Sequence, residues 1–201
     1  MNPDVFVVLA YAGNDFFGGI KQWRFFRGMG PASGGKYSGT ALLESDIAFE
    51  RNLLGLEIGQ VAYTLNNPED EIMALCVACS AANEIVWLAK KRGIQVVCAC
   101  IPPPLVGQPG PMAAVRSRVE AQLALPPDAI DLSDRIGDRW VEFLEDQGMH
   151  FCDLRPAFRA SQEPLYYADD GHINPAGHRL IGEALLPFIE QAVAQGSDGQ
   201  P

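Results

Sequence analysis

Positive charge is scarce in this chain. Its 15 lysines and arginines stand against 25 aspartates and glutamates, which gives the 201 residues a formal net charge of −10. Such an acidic chain is repelled by phosphate backbones and by anionic membrane surfaces, and its basic clusters at 21–27 and 90–92 are too short to reverse this. We therefore expect no nucleic-acid partner, and we interpret both clusters as solvated surface.

Long apolar runs are missing as well. No stretch approaches the roughly 20 apolar residues of a membrane span, and no basic segment followed by an apolar core and a small-residue cleavage site opens the chain. We expect no membrane span, and the compartment stays open because an export signal would lie upstream of Met1. The composition, 48% hydrophobic and 20% charged, predicts one globular domain over residues 1–201, with a disordered tail at 196–201.

The five cysteines are an odd number with no secretory context, which argues against a disulfide framework. CVAC at 76–79 and CAC at 98–100 leave a four-thiolate metal site as an alternative. The first pair lies in a helical pattern and the second alternates along a strand, so that Cys98 and Cys100 share one face. We therefore predict free thiols that serve as small buried hydrophobes, and no bound metal.

Strand and helix patterns alternate along the chain. Apolar, β-branched runs predict strands at 4–11, 94–101 and 149–154, and periodic apolar residues predict helices at 69–93, 112–125 and 133–147, the last capped by Ser133. A final helix begins after Asn174, where Pro175 suits the first helical position. This alternation predicts an α/β fold with a parallel sheet and helices on both faces. Residues 18–40, rich in glycine and aromatics, are expected to form an excursion loop or a lid.

Two short polar motifs, GND at 13–15 and DDGH at 169–172, fall where the ligands of such sheets bind. Asp170 lies two residues before His172 and Asp169 three, so either carboxylate can hold the imidazole in one tautomer and stabilise its charged form. The amide of Asn14 can donate to a developing oxyanion. Together the motifs predict acyl transfer. The competing interpretation is that both merely turn the chain.

Three blocks, in order, resemble the SGNH or GDSL-type serine hydrolases: PDVFVVLAYAGNDF at 3–16, RGIQVVCACIPPP at 92–104 and DGHINPAGH at 170–178. The resemblance implies a flavodoxin-like, three-layer α/β/α sandwich with a parallel sheet, and a reaction that needs no cofactor. It also implies that Asn14 supplies an oxyanion-hole amide.

In the last block the resemblance implies that His172 is the catalytic base and that Asp170, or Asp169, orients it. Around the substrate it implies Gly13 and Asp15 from the first block and His178 from the last. The D-G-H-x-N-x-x-G-H form is similar to the branch that includes polysaccharide O-acetyltransferases.

The chain departs from this family in its first half. Ala12 stands where the strictest form of the block has a glycine, and no G-D-S block with a nucleophilic serine occurs. Ser33 and Ser38 are the least unsuitable substitutes. We hypothesise that the chain is the C-terminal two-thirds of such an enzyme, lacking on the order of 60 to 100 residues. The strand at 4–11 then has an unpaired apolar edge, open to aggregation or to a complementing N-terminal segment.

The expected activity is hydrolysis of a carboxylic or O-acetyl ester of a small molecule or carbohydrate, through a Ser-His-Asp triad whose serine lies upstream. Without that serine we expect the chain alone to be inactive. Carbohydrate O-acetyl transfer uses the same residues and stays open. Two further hypotheses compete with catalysis by a triad: a non-catalytic binding remnant, and a metal site formed by Asp170, His172 and His178.

Overall fold

The computed structural model describes residues 3–29, 37, 48–168 and 170–197. Within them the elements follow in the order β1 (Val5–Tyr11), α1 (Asp15–Phe26), α2 (Ala48–Asn66), α3 (Glu69–Lys90), β2 (Gln95–Ile101), α4 (Pro104–Gly107), α5 (Pro109–Leu123), α6 (Leu132–Asp146), β3 (His150–Asp153), α7 (Arg155–Ala160), β4 (Tyr166–Tyr167), β5 (Asp170–Ile173) and α8 (Pro175–Ser197).

The first three strands form a parallel sheet in the order β1-β2-β3, with β2 at its centre. Val5 is paired with Gln95 at one end of the first ladder, and Val97 is paired with His150 in the second. The run from Val96 to Ile101 is buried throughout, as expected of a strand that is covered on both faces. The predicted α/β class with a parallel sheet is confirmed.

Helices cover both faces of this sheet, and each face has its own hydrophobic core. On one face Val97, Ala99 and Ile101 pack with residues of α2, α5, α7 and α8. On the other face Cys98 and Cys100 pack with residues of α1, α3 and α6. The alternation of side chains along β2 therefore produces the three-layer α/β/α arrangement.

The structure confirms that Cys98 and Cys100 share one buried face. Burial raises the pKa of the Cys98 thiol to about 11 and that of Cys100 to about 12, so both stay protonated at neutral pH. Cys152 lies in the opposite core. The expectation of buried thiols is wrong for Cys76, which is exposed, and Cys79 is only partly buried. Among the described residues, no group of three or more His, Cys, Asp or Glu side chains is arranged to hold a metal ion.

Strand β1 lies at an edge of the sheet. Among the described residues it pairs with β2 alone. Phe6 is 48% exposed and Leu9 45%. An apolar strand edge of this kind is a template for pairing with another strand.

Several elements differ from the sequence-based expectation. Residues 18–26 of the expected loop form most of α1, because Phe16, Phe17 and Ile20 fall on one buried side of a helix. The rest of that segment, apart from 27–29 and Tyr37, lies outside the described residues, as do 198–201 of the expected tail. Helices α2, α4 and α7 were not predicted. Ser133 lies inside α6 rather than at its cap, and its hydroxyl accepts a hydrogen bond from Gln60.

Helix α3 is long and apolar enough, by length and composition alone, to cross a membrane, although no span was expected from the sequence. Its buried alanines, Ala74, Ala82 and Ala89, belong to the core shared with α1 and α6. Ile72 and Trp87 on the same helix are more than half exposed. A helix that packs in a protein core can also meet these criteria of length and composition.

Arg155, at the start of α7, fastens the carboxyl end of β3 to α6. Its guanidinium donates to Asp153 at 2.9 Å, to Asp134 at 3.0 Å and to Asp138 at 2.7 Å. The arginine side chain is only 6% exposed, whereas Asp134 is 30% exposed. The positive charge is thus buried, and its stability depends on carboxylates that water partly reaches.

We predict that Arg155→Met lowers the free energy of unfolding by about 3 kcal/mol, at the lower end of the range for breaking a buried ion-pair network because the carboxylates left behind are partly solvated. Urea denaturation followed by circular dichroism measures this. Arg179→Ala, which breaks an exposed pair with Glu163, is the matched control and should cost at most about 1 kcal/mol. Equal losses in the two variants would contradict a structural role for the Arg155 network.

Candidate active site

The carboxyl ends of β1, β2 and β3 lie at one edge of the sheet, and helix α2 lies across two of them. The side-chain amide of Gln60 donates to the carbonyl of Ala12, just past β1, at 2.7 Å and to the Ser133 hydroxyl at 3.2 Å. The backbone N–H of Leu105, just past β2, donates to Glu57 Oε2 at 3.1 Å. Helix α2 therefore covers the end of the sheet at which the strands have their carboxyl termini, where parallel sheets usually bind their ligands.

Asp170, Gly171 and His172 lie on strand β5 of a small antiparallel hairpin formed with β4, whereas the sequence pattern predicts a loop before α8. Asn174, directly after β5, holds the base of this hairpin: its amide donates to the carbonyls of Pro164 at 2.7 Å and Tyr166 at 3.0 Å. Its Oδ1 accepts the N–H of Gly177 at 2.9 Å, which caps α8 as predicted.

The hairpin brings Asp170 and His172 into direct contact. Nδ1 of His172 donates to Oδ1 of Asp170, and the same oxygen accepts the backbone N–H of His172 at 3.1 Å. The hydrogen bond from the ring lowers the pKa of the Asp170 carboxyl. Because a carboxylate can only accept, Nδ1 carries the proton and Nε2 is left to accept another. Asp169, the second candidate partner, lies outside the described residues.

The His172 imidazole and its partner carboxylate are exposed to solvent. The side chain of His172 is 77% exposed and that of Asp170 is 50% exposed. Attraction between charges in such a setting is weakened by water and salt, so the pair is fixed mainly by its two hydrogen bonds.

The GND motif turns the chain from β1 into α1. Asp15 Oδ2 accepts the backbone N–H of Tyr11 at 2.8 Å, so this carboxylate stabilises the turn. A Cβ atom at Gly13 would lie 2.4 Å from the ring of Tyr11, which explains why the position needs glycine. Asn14 occupies the cap position of α1, and it lines a cavity between α1 and α2.

The structure does not bring all the predicted residues together. No hydrogen bond or ion pair within the described part of the chain joins Asn14 to Asp170 or His172. Tyr11 lies near both motifs: the pKa of its hydroxyl is raised, chiefly by burial and then by the negative charges of Glu57, Asp15 and Asp170.

Within the described part of the chain, no hydrogen bond joins His178 or a serine hydroxyl to the Asp170–His172 pair. His178 is exposed in the first turn of α8, where its N–H donates to the Asn174 carbonyl at 2.9 Å. The hydroxyls of Ser80, Ser133 and Ser161 bond to Cys76, Gln60 and Glu163 respectively. Ser33 and Ser38 lie outside the described residues.

Glu57 is a polar residue of this edge that the sequence interpretation missed. Its residue surface is 1% exposed, and its second carboxylate oxygen, Oε1, has no hydrogen-bond partner in the described part of the chain. Burial raises the pKa of the carboxyl to about 8, an effect that the Leu105 N–H and the nearby Arg116 only partly offset. No sequence signal pointed to it, because helix α2 itself was not predicted.

No family model and no curated protein matches this chain. Two solved structures are similar in chain path: a GDSL-like lipase from Bacteroides thetaiotaomicron and a candidate acylhydrolase from Bacteroides fragilis. The first has a TM-score of 0.45 and 14% identity over 94% of this chain and 89% of its own. The second has a TM-score of 0.45 and 12% identity over 96% of this chain and 91% of its own. Likeness at this level identifies no activity for the chain.

We predict that His172→Ala raises the pKa of Asp170 toward its ordinary value, because the hydrogen bond from the ring is lost. A carboxylate with a lowered pKa stabilises the folded state above its unfolded pKa, and this contribution disappears as the pH falls through the lowered pKa. Carbon-detected NMR titration of the Asp170 carboxyl measures the change. His178→Ala is the control and should leave the titration of Asp170 unmoved; a shift in that variant instead would mean that the wrong histidine has been paired with Asp170.

For Glu57 we predict a stability that falls as the pH rises. The folded protein keeps the proton to about pH 8, whereas the unfolded chain releases it near about pH 4.3. Between these values unfolding releases a proton, so stability falls by at most about 1.4 kcal/mol per pH unit.

The variant Glu57→Gln should lack this slope and should gain stability relative to the wild type from pH 5 to pH 8. Urea denaturation at several pH values gives the comparison, and Glu120→Gln, on the partly exposed face of α5, is the control. Parallel stability curves for the wild type and Glu57→Gln would show that Glu57 is not a buried, protonated acid.

Proposed function

We propose that this protein hydrolyses an acyl ester and that His172 is its general base. The observation that carries the proposal is the contact between His172 Nδ1 and Asp170 Oδ1, which fixes the imidazole by its own side-chain and backbone N–H groups. This is the base-and-orienter half of a nucleophile-activating site.

In the proposed reaction a serine hydroxyl placed against Nε2 of His172 attacks the ester carbonyl. His172 takes the hydroxyl proton as the new C–O bond forms, and the proton then passes to the departing alcohol as the ester bond breaks. Asp170 holds the ring in the Nδ1–H tautomer and stabilises the imidazolium. Water then attacks the acyl-enzyme through the same base, which releases the acid and restores the hydroxyl.

Asn14 is proposed to stabilise the oxyanion. Its position at the N-terminus of α1 adds the positive end of a helix dipole to the donating amide. For this role the acyl carbonyl has to lie between the cap of α1 and the hairpin, beside Tyr11, which is near both motifs. The same residues serve O-acetyl transfer to a carbohydrate when a sugar hydroxyl replaces water as the acceptor.

The proposal predicts that His172→Ala and Asp170→Asn each lower turnover of an activated acetyl ester by about 10³-fold or more, since each removes the oriented base. His178→Ala and His150→Ala, which leave the pair intact, are controls for nonspecific histidine catalysis. Covalent labelling by a fluorophosphonate, with the attachment site found by mass spectrometry, identifies the attacking hydroxyl.

Labelling that depends on His172 supports the proposal. If the chain neither turns over esters nor takes the label while Asp170 and His172 still contact each other by NMR, hydrolysis by this chain is refuted, and the expectation of an inactive chain that follows from the missing G-D-S block holds instead. A binding protein that keeps the pocket would then fit better.

A further inference from the structure

The cavity beside Asn14 lies between helices α1 and α2 and has a volume of about 240 Å³. This is below the roughly 300–1,000 Å³ of sites for drug-sized ligands, so it suits a small group. Helix α1 contributes one side of the cavity and α2 the other; the lining residues are Asn14, Phe17, Gly18, Lys21, Gly55, Gly59, Gln60 and Tyr63.

Lys21 is the charged residue of this lining, which includes no carboxylate. Among the described residues it forms no ion pair, although the whole chain has a net charge of −10. Asn14, Gly18 and Lys21 follow one another at helical spacing along a single face of α1. The Cα atom of Lys21 lies about 10 Å beyond that of Asn14 along the helix axis, so the cavity has an amide at the start of the helix and an ammonium group further along it.

Between these two polar groups the walls are apolar or small, except for Gln60, whose side-chain amide donates to the Ala12 carbonyl and the Ser133 hydroxyl. The rings of Phe17 and Tyr63 meet edge to face, with their centroids 5.6 Å apart. Gly18 and Gly59 leave open space, since a Cβ atom at either would meet nothing within 4 Å. A short hydrocarbon chain fits between the two polar ends.

We propose that this cavity binds the acyl group of the ester and that the acyl group carries a carboxylate at its far end. The reacting carbonyl lies at Asn14, a short carbon chain lies against Phe17 and Tyr63, and the distal carboxylate pairs with Lys21. Allowing for the flexible lysine side chain, the acyl group is a dicarboxylic acid of roughly four to six carbons. The assignment of the reacting end rests on the proposed function.

A larger cavity, of about 380 Å³, lies at the opposite, amino end of the sheet, and it contains Lys90 and His150. Lys90 ends helix α3, where a positive side chain stabilises the helix terminus. This cavity provides a matched control, because it has a lysine but lies far from both polar motifs.

The test is isothermal titration with glutarate, a five-carbon dicarboxylate, and with butyrate, which lacks the second carboxylate. We expect glutarate to bind the wild-type chain at least tenfold more tightly than butyrate. Lys21→Gln should weaken glutarate binding at least tenfold, and Gly59→Leu should abolish it by filling the cavity. Lys90→Gln and Gly182→Leu, the latter on an open position of α8, should bind glutarate like the wild type.

Equal binding of glutarate by the wild type and Lys21→Gln, or a loss confined to Lys90→Gln, overturns the proposal. Circular dichroism of each variant excludes unfolding as the cause. Binding needs no nucleophile, so His172→Ala should keep its affinity for glutarate while it loses ester turnover. Glutarate binding without any esterase activity would leave the cavity assignment standing and would refute hydrolysis alone.

Discussion

The rest of the structure depends on the parallel pairing of β2 with a strand on each side. Both ladders run the same way, so β1, β2 and β3 all end at one edge of the sheet. Backbone groups that leave the ladders there need other partners. Helix α2 supplies two of them: the Gln60 amide donates to the Ala12 carbonyl, and the Glu57 carboxylate accepts the Leu105 N–H.

This closure of the sheet edge leaves polar atoms unsatisfied. Glu57 Oε1 and Gln60 Oε1 are buried without a hydrogen-bond partner in the described part of the chain. Each such atom lowers the stability of the fold by about 1–3 kcal/mol. Apolar residues in their place would fill the same space without this loss, so the end of the sheet under α2 is not arranged for stability alone. Perturbed acids of this kind cluster at functional sites.

The sequence predicted the elements whose signals are local. Strands β1 and β2 are uninterrupted apolar runs, and Asn174 with Pro175 marks the start of α8. It missed the features that depend on contacts between distant segments. Gln60 lies 73 residues before Ser133, and Glu57 lies 48 residues before Leu105. Because α2 was not predicted, the cavity that it forms with α1 beside Asn14 could not be predicted either. Helix α1 was missed because its glycines disfavour a helix, although the spacing of its buried residues Phe16, Phe17 and Ile20 is helical.

The proposed chemistry has to overcome the exposure of its base. His172 and Asp170 both face water, where the attraction between an imidazolium and a carboxylate is weak. A substrate that covers the hairpin removes that water and strengthens the pair at the moment of proton transfer. Such coverage requires binding energy from a part of the substrate that does not react. The ammonium of Lys21, which has no ion pair in the described part of the chain, is a source of that energy, because it can hold an anionic acyl group while the ester carbonyl stays at the cap of α1.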